Sequence, residues 1–334
     1  MSIDLYPPFI KQDDLSPDEG FGADIDEDCE LLNGATKGFG ADADTCIACL
    51  GAKDAVARWK LARRYQELYD KPLTKLMKDE FSGDFGRAMK MLAMPIDEAE
   101  CYMLKKAFEG LGCNVKVIYS ILVGRSNDEI NRIKKNYFKL YTKDLGKQLA
   151  SELHGDMERL VFNCFQAGEE PYDPQFHTEE KAQEDADEIY EKGQGKFFGT
   201  DEKKIFKILC ASPPEHIANI DKAYAEKRGY TLSKAIEKEL NGNVRDATIH
   251  LVGMKTKPYH SAAAMIKEAC KGIGTDELLL TTCIVRYQYV LKDVMAAHIE
   301  EYGKTIHERV KSETSGNYKE LLLTVLNAVW PEEG

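Results

Sequence analysis

The sequence predicts an all-α fold made of four repeats, each of about five helices. Three observations support this prediction. Similar glycine turns recur along the chain, namely KGFG (37–40), EGLG (109–112), KGIG (271–274) and a longer variant, GQGKFFGT (193–200). A Glu-x-x-Gly segment follows each turn, and its glutamate lies 40, 40, 40 and 39 residues after the last glycine of the turn. Between these landmarks, apolar residues recur at intervals of three and four, which is the spacing of amphipathic helices.

The helices can be placed in order within a repeat. In repeat 2, apolar residues keep helical spacing through 117–122 and 130–141. In repeat 4, four helical segments are TDELLLTTCIV, YVLKDVMAAHIEEYG, TIHERVKSE and NYKELLLTVLNAVW, and SAAAMIKEAC adds a fifth before the turn. Thr-Asp-Glu after Gly199 and Gly274 supplies an N-cap and an acidic first turn, so the glycine turn joins two helix ends.

The spacing of the repeats divides the chain. Their glycines are offset by 72, 87 and 75 residues, and the extra length falls in QAGEEPYDPQFHTEE, where two prolines and clustered charges are typical of a connection between halves. The predicted segments are a tail (1–27), repeat 1 (28–95), repeat 2 (96–165), a linker (166–180), repeat 3 (181–255) and repeat 4 (256–334).

Composition excludes several classes of protein. A net charge of −12 argues against nucleic-acid binding, which usually needs a basic face. Nine cysteines lie singly along a chain that starts without a signal peptide, so we expect reduced thiols and a cytoplasmic protein. No apolar run approaches the roughly 18 residues of a membrane span, so any membrane contact should be peripheral.

The glycine turns suggest cation chemistry. Glycine admits positive φ angles, so the carbonyl groups of such a turn can converge on one point. Ca²⁺ takes six to eight oxygen ligands and accepts carbonyls, water and a bidentate carboxylate. Three carbonyls and the distant glutamate supply about five oxygens and leave room for a phosphate oxygen. Such an open site would bridge this acidic chain to an anionic membrane.

An apolar residue at each turn tip fits the same interpretation. The four predicted membrane-contact residues are Phe39, Leu111, Phe198 and Ile273. Loop tips normally carry polar residues, so repeated apolar tips favour insertion into a membrane interface. The alternative is that these side chains fold back onto their own repeats.

Taken together, these features resemble the annexin family. The similarity includes the turns with their glutamates, GTDE at 199–202 and 274–277, the run GRSNDEINRIKKNYFKLYTKDLGKQLASELHGDMERL and the long link, and it covers about residues 28–330. It implies a curved disc of four five-helix repeats, with calcium sites on the convex face that bind anionic phospholipid reversibly. It also implies that the tail (1–27) binds partners or regulates. We expect a monomer in solution, with self-association on the membrane left open.

The resemblance also implies a calcium ligand set, made of three backbone carbonyls and one glutamate side chain in each repeat. The residues are Thr36, Gly38, Gly40 and Glu80; Phe108, Gly110, Gly112 and Glu152; Gly195, Phe197, Gly199 and Glu239; and Cys270, Gly272, Gly274 and Glu313. Repeats 1 and 2 have Ala41 and Cys113 where the family usually has threonine. We expect this difference to weaken the helix cap that follows the turn.

A further pair follows from the same resemblance. Glu100 and Arg125 fall where the family places an acidic and a basic residue that line a polar channel between two modules, so they are predicted to form an inter-module ion pair. The alternative is a solvated pair on a helix surface, worth a few tenths of a kcal/mol.

Other functions receive less support from the sequence. Cys46-x-x-Cys49 lacks a second pair with zinc spacing and is interpreted as two core cysteines one helical turn apart. No catalytic motif is present, so an enzyme is not predicted. The leading hypothesis is calcium-dependent binding to anionic phospholipid, with recruitment to the membrane when calcium rises. The alternative is a cytoskeletal or membrane-associated scaffold that binds proteins through its tail and disc.

Overall fold

The computed structural model describes residues 5–6, 21–38, 40–110, 112–193, 202–272 and 274–332. Within these ranges the chain forms 20 helices and no strand, which confirms the predicted all-α class. The helices fall into four groups of five, as predicted.

The four groups follow one another along the chain, and each contains helices of similar length in the same order. Repeat 1 contains α1 (Ala23–Ala35), α2 (Ala43–Gly51), α3 (Ala55–Tyr69), α4 (Leu73–Glu80) and α5 (Gly83–Leu92). Repeat 2 contains α6 (Ile96–Ala107), α7 (Val115–Leu122), α8 (Asn127–Tyr141), α9 (Leu145–Glu152) and α10 (Gly155–Phe165). Repeat 3 contains α11 (Glu179–Lys192), α12 (Glu202–Ala211), α13 (Pro214–Arg228), α14 (Leu232–Glu239) and α15 (Gly242–Thr256). Repeat 4 contains α16 (Pro258–Ala269), α17 (Glu277–Arg286), α18 (Leu291–Tyr302), α19 (Ile306–Glu313) and α20 (Gly316–Val329).

The Glu-x-x-Gly segment is the junction between the fourth and fifth helices of each repeat. The fourth helix has eight residues and ends at the glutamate, and the residue after it is extended. The glycine then begins the fifth helix with φ between 59° and 65°, at Gly83, Gly155, Gly242 and Gly316. A left-handed backbone at this point favours glycine over any residue with a Cβ. The motif therefore has a folding role as well as the predicted ligand role of its glutamate.

The described residues form two compact units, and each unit combines two repeats. The central unit consists of residues 104–261, and the terminal unit consists of residues 5–103 with 262–332. The central unit thus holds nearly all of repeats 2 and 3, and the terminal unit holds nearly all of repeats 1 and 4.

The segment predicted to link repeats 2 and 3 (166–180) lies inside the central unit. It runs from 166 to 178, between α10 and α11. Repeats 2 and 3 pack against each other in this unit, through α10 on α12 and α7 on α15. The linker is itself held by hydrogen bonds, since the amide group of Asn127 pairs with both the N–H and the carbonyl of Glu169 at 3.0 and 2.8 Å.

Part of the N-terminal tail is packed into the terminal unit. Leu5 and Tyr6 are 1% and 2% exposed, and Tyr6 packs with Ile96 and Tyr289. This buried segment lies well before α1 in the sequence.

Among the described residues, none of the helices has both the length and the apolar character that crossing a membrane requires.

Candidate metal centres

Three of the four glycine turns are described except for their central residues, and their glycines share one backbone conformation. Gly38, Gly110 and Gly272 have φ of 112°, 116° and 106°. The second glycines, Gly40, Gly112 and Gly274, have φ of 85°, 84° and 88°. A residue with a Cβ is strained at such angles, so the recurring glycines are explained by the turn itself.

Each of these turns is closed by the same backbone hydrogen bond. The N–H group of Asp42 donates to the carbonyl of Ala35 at 2.8 Å, and Asp276 donates to Ala269 at the same distance. In repeat 2, Asn114 donates to Ala107 at 2.7 Å. The turn therefore returns the chain to the end of the first helix, and the second helix starts beside it.

The residue that closes each turn also caps the following helix. The side chains of Asp42, Asn114 and Asp276 accept hydrogen bonds from backbone N–H groups three residues later, at 3.2, 3.2 and 2.9 Å. The expectation that Ala41 and Cys113 weaken the cap was therefore wrong. The preceding position, where the family usually has threonine, does not supply the cap in any of these three turns.

That preceding position instead connects the turn to the predicted glutamate. The hydroxyl group of Thr275 donates to the backbone carbonyl of Glu313 at 2.9 Å, and the thiol of Cys113 contacts the carbonyl of Glu152 at 3.8 Å. In repeats 2 and 4, the carboxyl end of the fourth helix thus lies directly against the turn. Ala41 has no polar group to make this contact in repeat 1.

Repeat 3 places its glutamate in the corresponding position. Residues 194–201, which include the predicted ligands Gly195, Phe197 and Gly199, lie outside the described residues. Gly193 is the last described residue before them, and a Cβ placed on it would lie 3.3 Å from Cγ of Glu239. The Glu239 side chain therefore lies against the residue where the predicted turn begins.

In repeat 1 the turn borders an acidic depression. This depression has a volume of about 660 Å³, and its lining includes Glu27, Glu30, Gly40 and Asp42. Glu80, at the end of α4, is half-buried. Its charge contributes to raising the pKa of Cys46 in α2, although burial of the thiol is the main cause.

The donor atoms fit a hard cation. Within the described part of the chain, no hydrogen bond engages the carbonyl oxygens predicted as ligands, which belong to Thr36, Gly38, Gly40, Phe108, Gly110, Gly112, Cys270, Gly272 and Gly274. The six glycines among them are exposed. Backbone carbonyl oxygens and a carboxylate are ligands that Ca²⁺ accepts and that Zn²⁺ does not prefer.

A side-chain metal cluster of another kind does not occur among the described residues, since no group of three or more His, Cys, Asp or Glu is arranged to hold a metal ion. Cys46 and Cys49 are 0% and 4% exposed in α2, which confirms that they are core residues. Burial raises the pKa of Cys46 to about 12 and that of Cys49 to about 11, so neither thiol readily becomes the thiolate that binds metals.

The predicted membrane-contact residues Phe39, Leu111, Phe198 and Ile273 all lie outside the described residues. Their role stays a prediction. The residues on either side of Phe39, Leu111 and Ile273 are exposed glycines, as the sequence indicated.

The predicted pair of Glu100 and Arg125 is divided between the two units, and it stays a prediction. Glu100 is 0% exposed in the terminal unit, where its carboxylate pairs with Nε of Arg286 at 2.7 Å and accepts a hydrogen bond from the hydroxyl of Tyr6. Arg125 is 7% exposed in the central unit, and its Nε lies 3.1 Å from Glu129. Both residues are therefore buried, which contradicts the alternative of a solvated surface pair.

Sequence reasoning missed Tyr6 and Arg286. They lie 94 and 186 residues from Glu100, and neither belongs to the repeated motifs. The available signal was weak, namely an arginine at the end of the apolar segment ELLLTTCIVR of α17.

Comparisons with known proteins agree with the four repeats. The annexin family model matches residues 27–92, 99–163, 184–251 and 260–325. Human annexin A13 is 30% identical over 308 residues, which cover 92% of this chain and 96% of that protein. Annexin A5 of Cynops pyrrhogaster is 29% identical over 304 residues, covering 91% and 93% respectively.

Solved structures show the same fold. Annexin III superimposes with a TM-score of 0.82 at 28% identity, covering 90% of this chain and 93% of that one. A calcium-bound annexin (Sm)1 superimposes with a TM-score of 0.76 at 23% identity, covering 97% and 93% respectively.

Proposed function

Because the chain belongs to the annexin family, we propose that it binds anionic phospholipid membranes reversibly in the presence of calcium, through its four glycine turns. One observation carries this proposal. A glutamate at the end of the fourth helix lies against the turn in repeats 2 and 4, through Cys113 and Thr275, and against the start of the turn in repeat 3. Residues 38 to 46 positions apart in sequence thus come together at these turns.

The proposed calcium ligands are the exposed turn carbonyls and the glutamate side chains. In repeat 4 they are the carbonyls of Cys270, Gly272 and Gly274 with the carboxylate of Glu313. Bound calcium would supply positive charge and open coordination positions for a lipid phosphate oxygen. The chain's own contribution is to hold the turn, through its glycines and its closing hydrogen bond, beside the glutamate.

The charge of the chain makes a cation necessary for this contact. A protein with a net charge of −12 is repelled by an anionic leaflet. Calcium at the turns would reverse the sign of the charge at the contact points. The protein would therefore be recruited to the membrane when calcium rises and released when calcium falls. Annexin (Sm)1, a chain of the same fold, has been observed with calcium bound.

The proposed location is the cytoplasm and the membrane surfaces that face it. All nine cysteines are free thiols in the structure, which is usual for a reducing compartment. The apolar tips Phe39, Leu111, Phe198 and Ile273 would add contacts with the interfacial region of the bilayer.

Cosedimentation with liposomes tests the proposal. The full chain would be mixed with phosphatidylserine-containing vesicles over a calcium titration, with a chelator arm and with vesicles of phosphatidylcholine alone. We expect the protein to pellet with acidic vesicles as calcium rises toward about 10⁻⁴–10⁻³ M, and to be released by the chelator. Pelleting in the chelator, or none at millimolar calcium, would contradict the proposal and favour the scaffold alternative.

Two substitutions in one helix make the test specific. Glu239→Gln removes the proposed ligand of repeat 3, whereas Glu237→Gln changes an exposed glutamate of the same helix that pairs with Lys234 at the surface. We expect Glu239→Gln to shift pelleting to higher calcium and Glu237→Gln to behave as the unsubstituted chain. Equal behaviour of the two variants would exclude Glu239 as a ligand.

A further inference from the structure

Two cysteine side chains lie close together in the central unit. Sγ of Cys164 in α10 is 3.4 Å from Sγ of Cys210 in α12. These residues are 46 positions apart and belong to different repeats. A disulfide bond has a length of about 2.0 Å, so a small adjustment of the side chains would bring the two sulfur atoms to bonding distance.

One of the two cysteines is partly exposed. Of the nine cysteines, only Cys113 and Cys164 are not buried. Cys210 is 9% exposed and counts among the buried cysteines. A small oxidant can therefore reach Cys164 first, and Cys210 is in position to react second.

A buried lysine provides positive charge beside the pair. Nζ of Lys255 donates hydrogen bonds to the carbonyls of Leu209, Cys210 and Ser212 at 3.1, 3.3 and 2.5 Å, and it pairs with Glu169 at 2.7 Å. These contacts hold the ammonium group at the carboxyl end of α12, next to the thiols. A neighbouring cation favours the thiolate, which is the reactive form of cysteine.

The two thiols are electrostatically different. The hydrogen bond with Cys210, together with the charge of Lys255, lowers the pKa of Cys164 below its ordinary value. The same hydrogen bond and burial raise the pKa of Cys210. Cys164 is thus suited to be the attacking thiolate and Cys210 the thiol that resolves the product.

We propose that Cys164 and Cys210 form a redox-active dithiol, which hydrogen peroxide or another hydroperoxide converts reversibly to an intramolecular disulfide that ties repeat 2 to repeat 3. In the first step the Cys164 sulfur attacks an oxygen of hydrogen peroxide, the O–O bond breaks, and the released hydroxide takes up the thiol proton and leaves as water, so that Cys164 becomes a sulfenic acid. With another hydroperoxide the leaving group is the corresponding alcohol. In the second step the Cys210 sulfur attacks the Cys164 sulfur, the S–O bond breaks, and the proton of Cys210 leaves with the hydroxide as water. Overall, two thiols and one molecule of hydrogen peroxide give one disulfide and two molecules of water.

The disulfide would act on the stability of the central unit. It would close a loop that contains the linker (166–178) and α11, and closing a loop of this length restricts the unfolded chain. We therefore expect the oxidised protein to unfold at a temperature about 5 °C higher than the reduced protein, with the increase reversed by dithiothreitol.

Peptide mapping tests the proposal directly. The full chain would be treated with a small excess of hydrogen peroxide at low protein concentration, alkylated, and digested with trypsin without reduction. Cys164 and Cys210 fall in separate tryptic peptides, 160–181 and 208–222, each with one cysteine. We expect these peptides to be joined, with a loss of two hydrogens, in protein that still migrates as a single chain.

Three variants provide the controls. Cys164→Ser and Cys210→Ser should each abolish the joined peptides and the increase in unfolding temperature. Cys113→Ser removes the other partly exposed cysteine, which lies in peptide 107–116, and should leave both readouts unchanged.

Other results would overturn the proposal. One is irreversible oxidation of Cys164 with Cys210 still free to alkylate. Another is peroxide reacting with Cys113 while both members of the pair stay reduced. Joined peptides found only between two chains, as shown by mixing isotope-labelled and unlabelled protein, would also contradict an intramolecular disulfide.

Discussion

At the scale of single residues, the carboxylate of Glu100 is the side chain that most needs compensating partners. It is completely buried, as is its partner Arg286, with 2.7 Å between the paired atoms. The second carboxylate oxygen of Glu100 accepts a hydrogen bond from the hydroxyl of Tyr6, a residue of the N-terminal tail. Charges removed from water are tolerated only with such compensation, so these three residues depend on one another.

Substitutions in this group should be strongly destabilising. We expect Glu100→Gln to lower the free energy of unfolding by about 3 kcal/mol, because it leaves the buried guanidinium of Arg286 without its carboxylate. Tyr6→Phe should cost about 2 kcal/mol, because it removes one hydrogen bond to a charged group. Urea unfolding of the full chain measures both effects.

The matched control is Glu237→Gln, which removes one side of an exposed pair at 2.5 Å and should change stability by less than about 1 kcal/mol. If Glu100→Gln were as mild as this control, the buried pair would not be a major contributor to the stability of the terminal unit.

Residues inside the repeated motifs could be predicted from the sequence, whereas unique residues could not. The spacing that singled out Glu152, Glu239 and Glu313 also placed them at a turn in space. The partners Tyr6 and Arg286 do not belong to the repeated motifs, and they reach Glu100 only through tertiary packing. The cap position was misassigned by one residue, since Asp276 and not Thr275 accepts the hydrogen bond from the following helix.

At the scale of helices, that cap is what holds the second helix of a repeat to its turn. We expect Asn114→Ala to lower the free energy of unfolding by about 1 kcal/mol, because it leaves a helix N–H group of α7 without its acceptor. Cys113→Thr should leave stability unchanged or raise it, because threonine at the equivalent position of repeat 4 makes a hydrogen bond to the glutamate carbonyl.

Chemical denaturation of these two variants beside the unsubstituted chain would check the assignment. No loss of stability in Asn114→Ala, together with a gain in Cys113→Thr, would return the cap to the position first predicted.

Helix α19, which ends at Glu313, is hydrogen-bonded to a neutral histidine of α18. His298 is completely buried. Its Nε2 accepts a hydrogen bond from Nε of Arg309 at 2.6 Å, so the proton lies on Nδ1, which donates to the carbonyl of Lys304 at 2.7 Å. Burial, with help from the nearby Arg309 and Lys267, lowers the pKa of His298 below 6.5, although Glu308 and the Lys304 carbonyl oppose the shift.

This histidine should make stability depend on pH. With a lowered pKa in the folded state, the unfolded chain binds more protons below pH 6.5, so the contribution of His298 is complete above about 6.5 and is lost as pH falls toward the folded pKa. We expect His298→Gln to reduce the loss of unfolding free energy between pH 8 and pH 5.5, as measured by urea unfolding at both values. An unchanged loss in the variant would contradict a neutral His298.

At the scale of the whole chain, the order of elements was predictable and the grouping of repeats was not. Helical spacing and glycine turns located five helices in each repeat, because these signals are local. The association of repeat 1 with repeat 4 depends on contacts such as that of Gly51 with Thr324, where α20 packs on α2. Nothing in the spacing of the turns specifies such a contact, so the spacing does not predict which repeats pack together.

This grouping gives each unit two proposed calcium sites. The terminal unit carries the turns with Glu80 and Glu313, and the central unit carries those with Glu152 and Glu239. Weak calcium sites have dissociation constants of about 10⁻⁴–10⁻³ M, and we expect each of these open sites to be in that range. Sites on one chain bind a membrane at high effective concentration once the first is engaged, so avidity grows with each additional site.

Two double variants test whether the sites act together. Glu80→Gln with Glu313→Gln removes both ligands of the terminal unit, and Glu152→Gln with Glu239→Gln removes both ligands of the central unit. If all four sites contribute, both variants should need more calcium for half-maximal binding to phosphatidylserine vesicles, and both should show a shallower calcium dependence, since fewer ions are taken up for each chain that binds. The single variants should fall between the doubles and the unsubstituted chain. If one double bound as the unsubstituted chain does while the other did not bind at all, membrane attachment would reside in one unit, and the remaining glycine turns would be explained by folding alone.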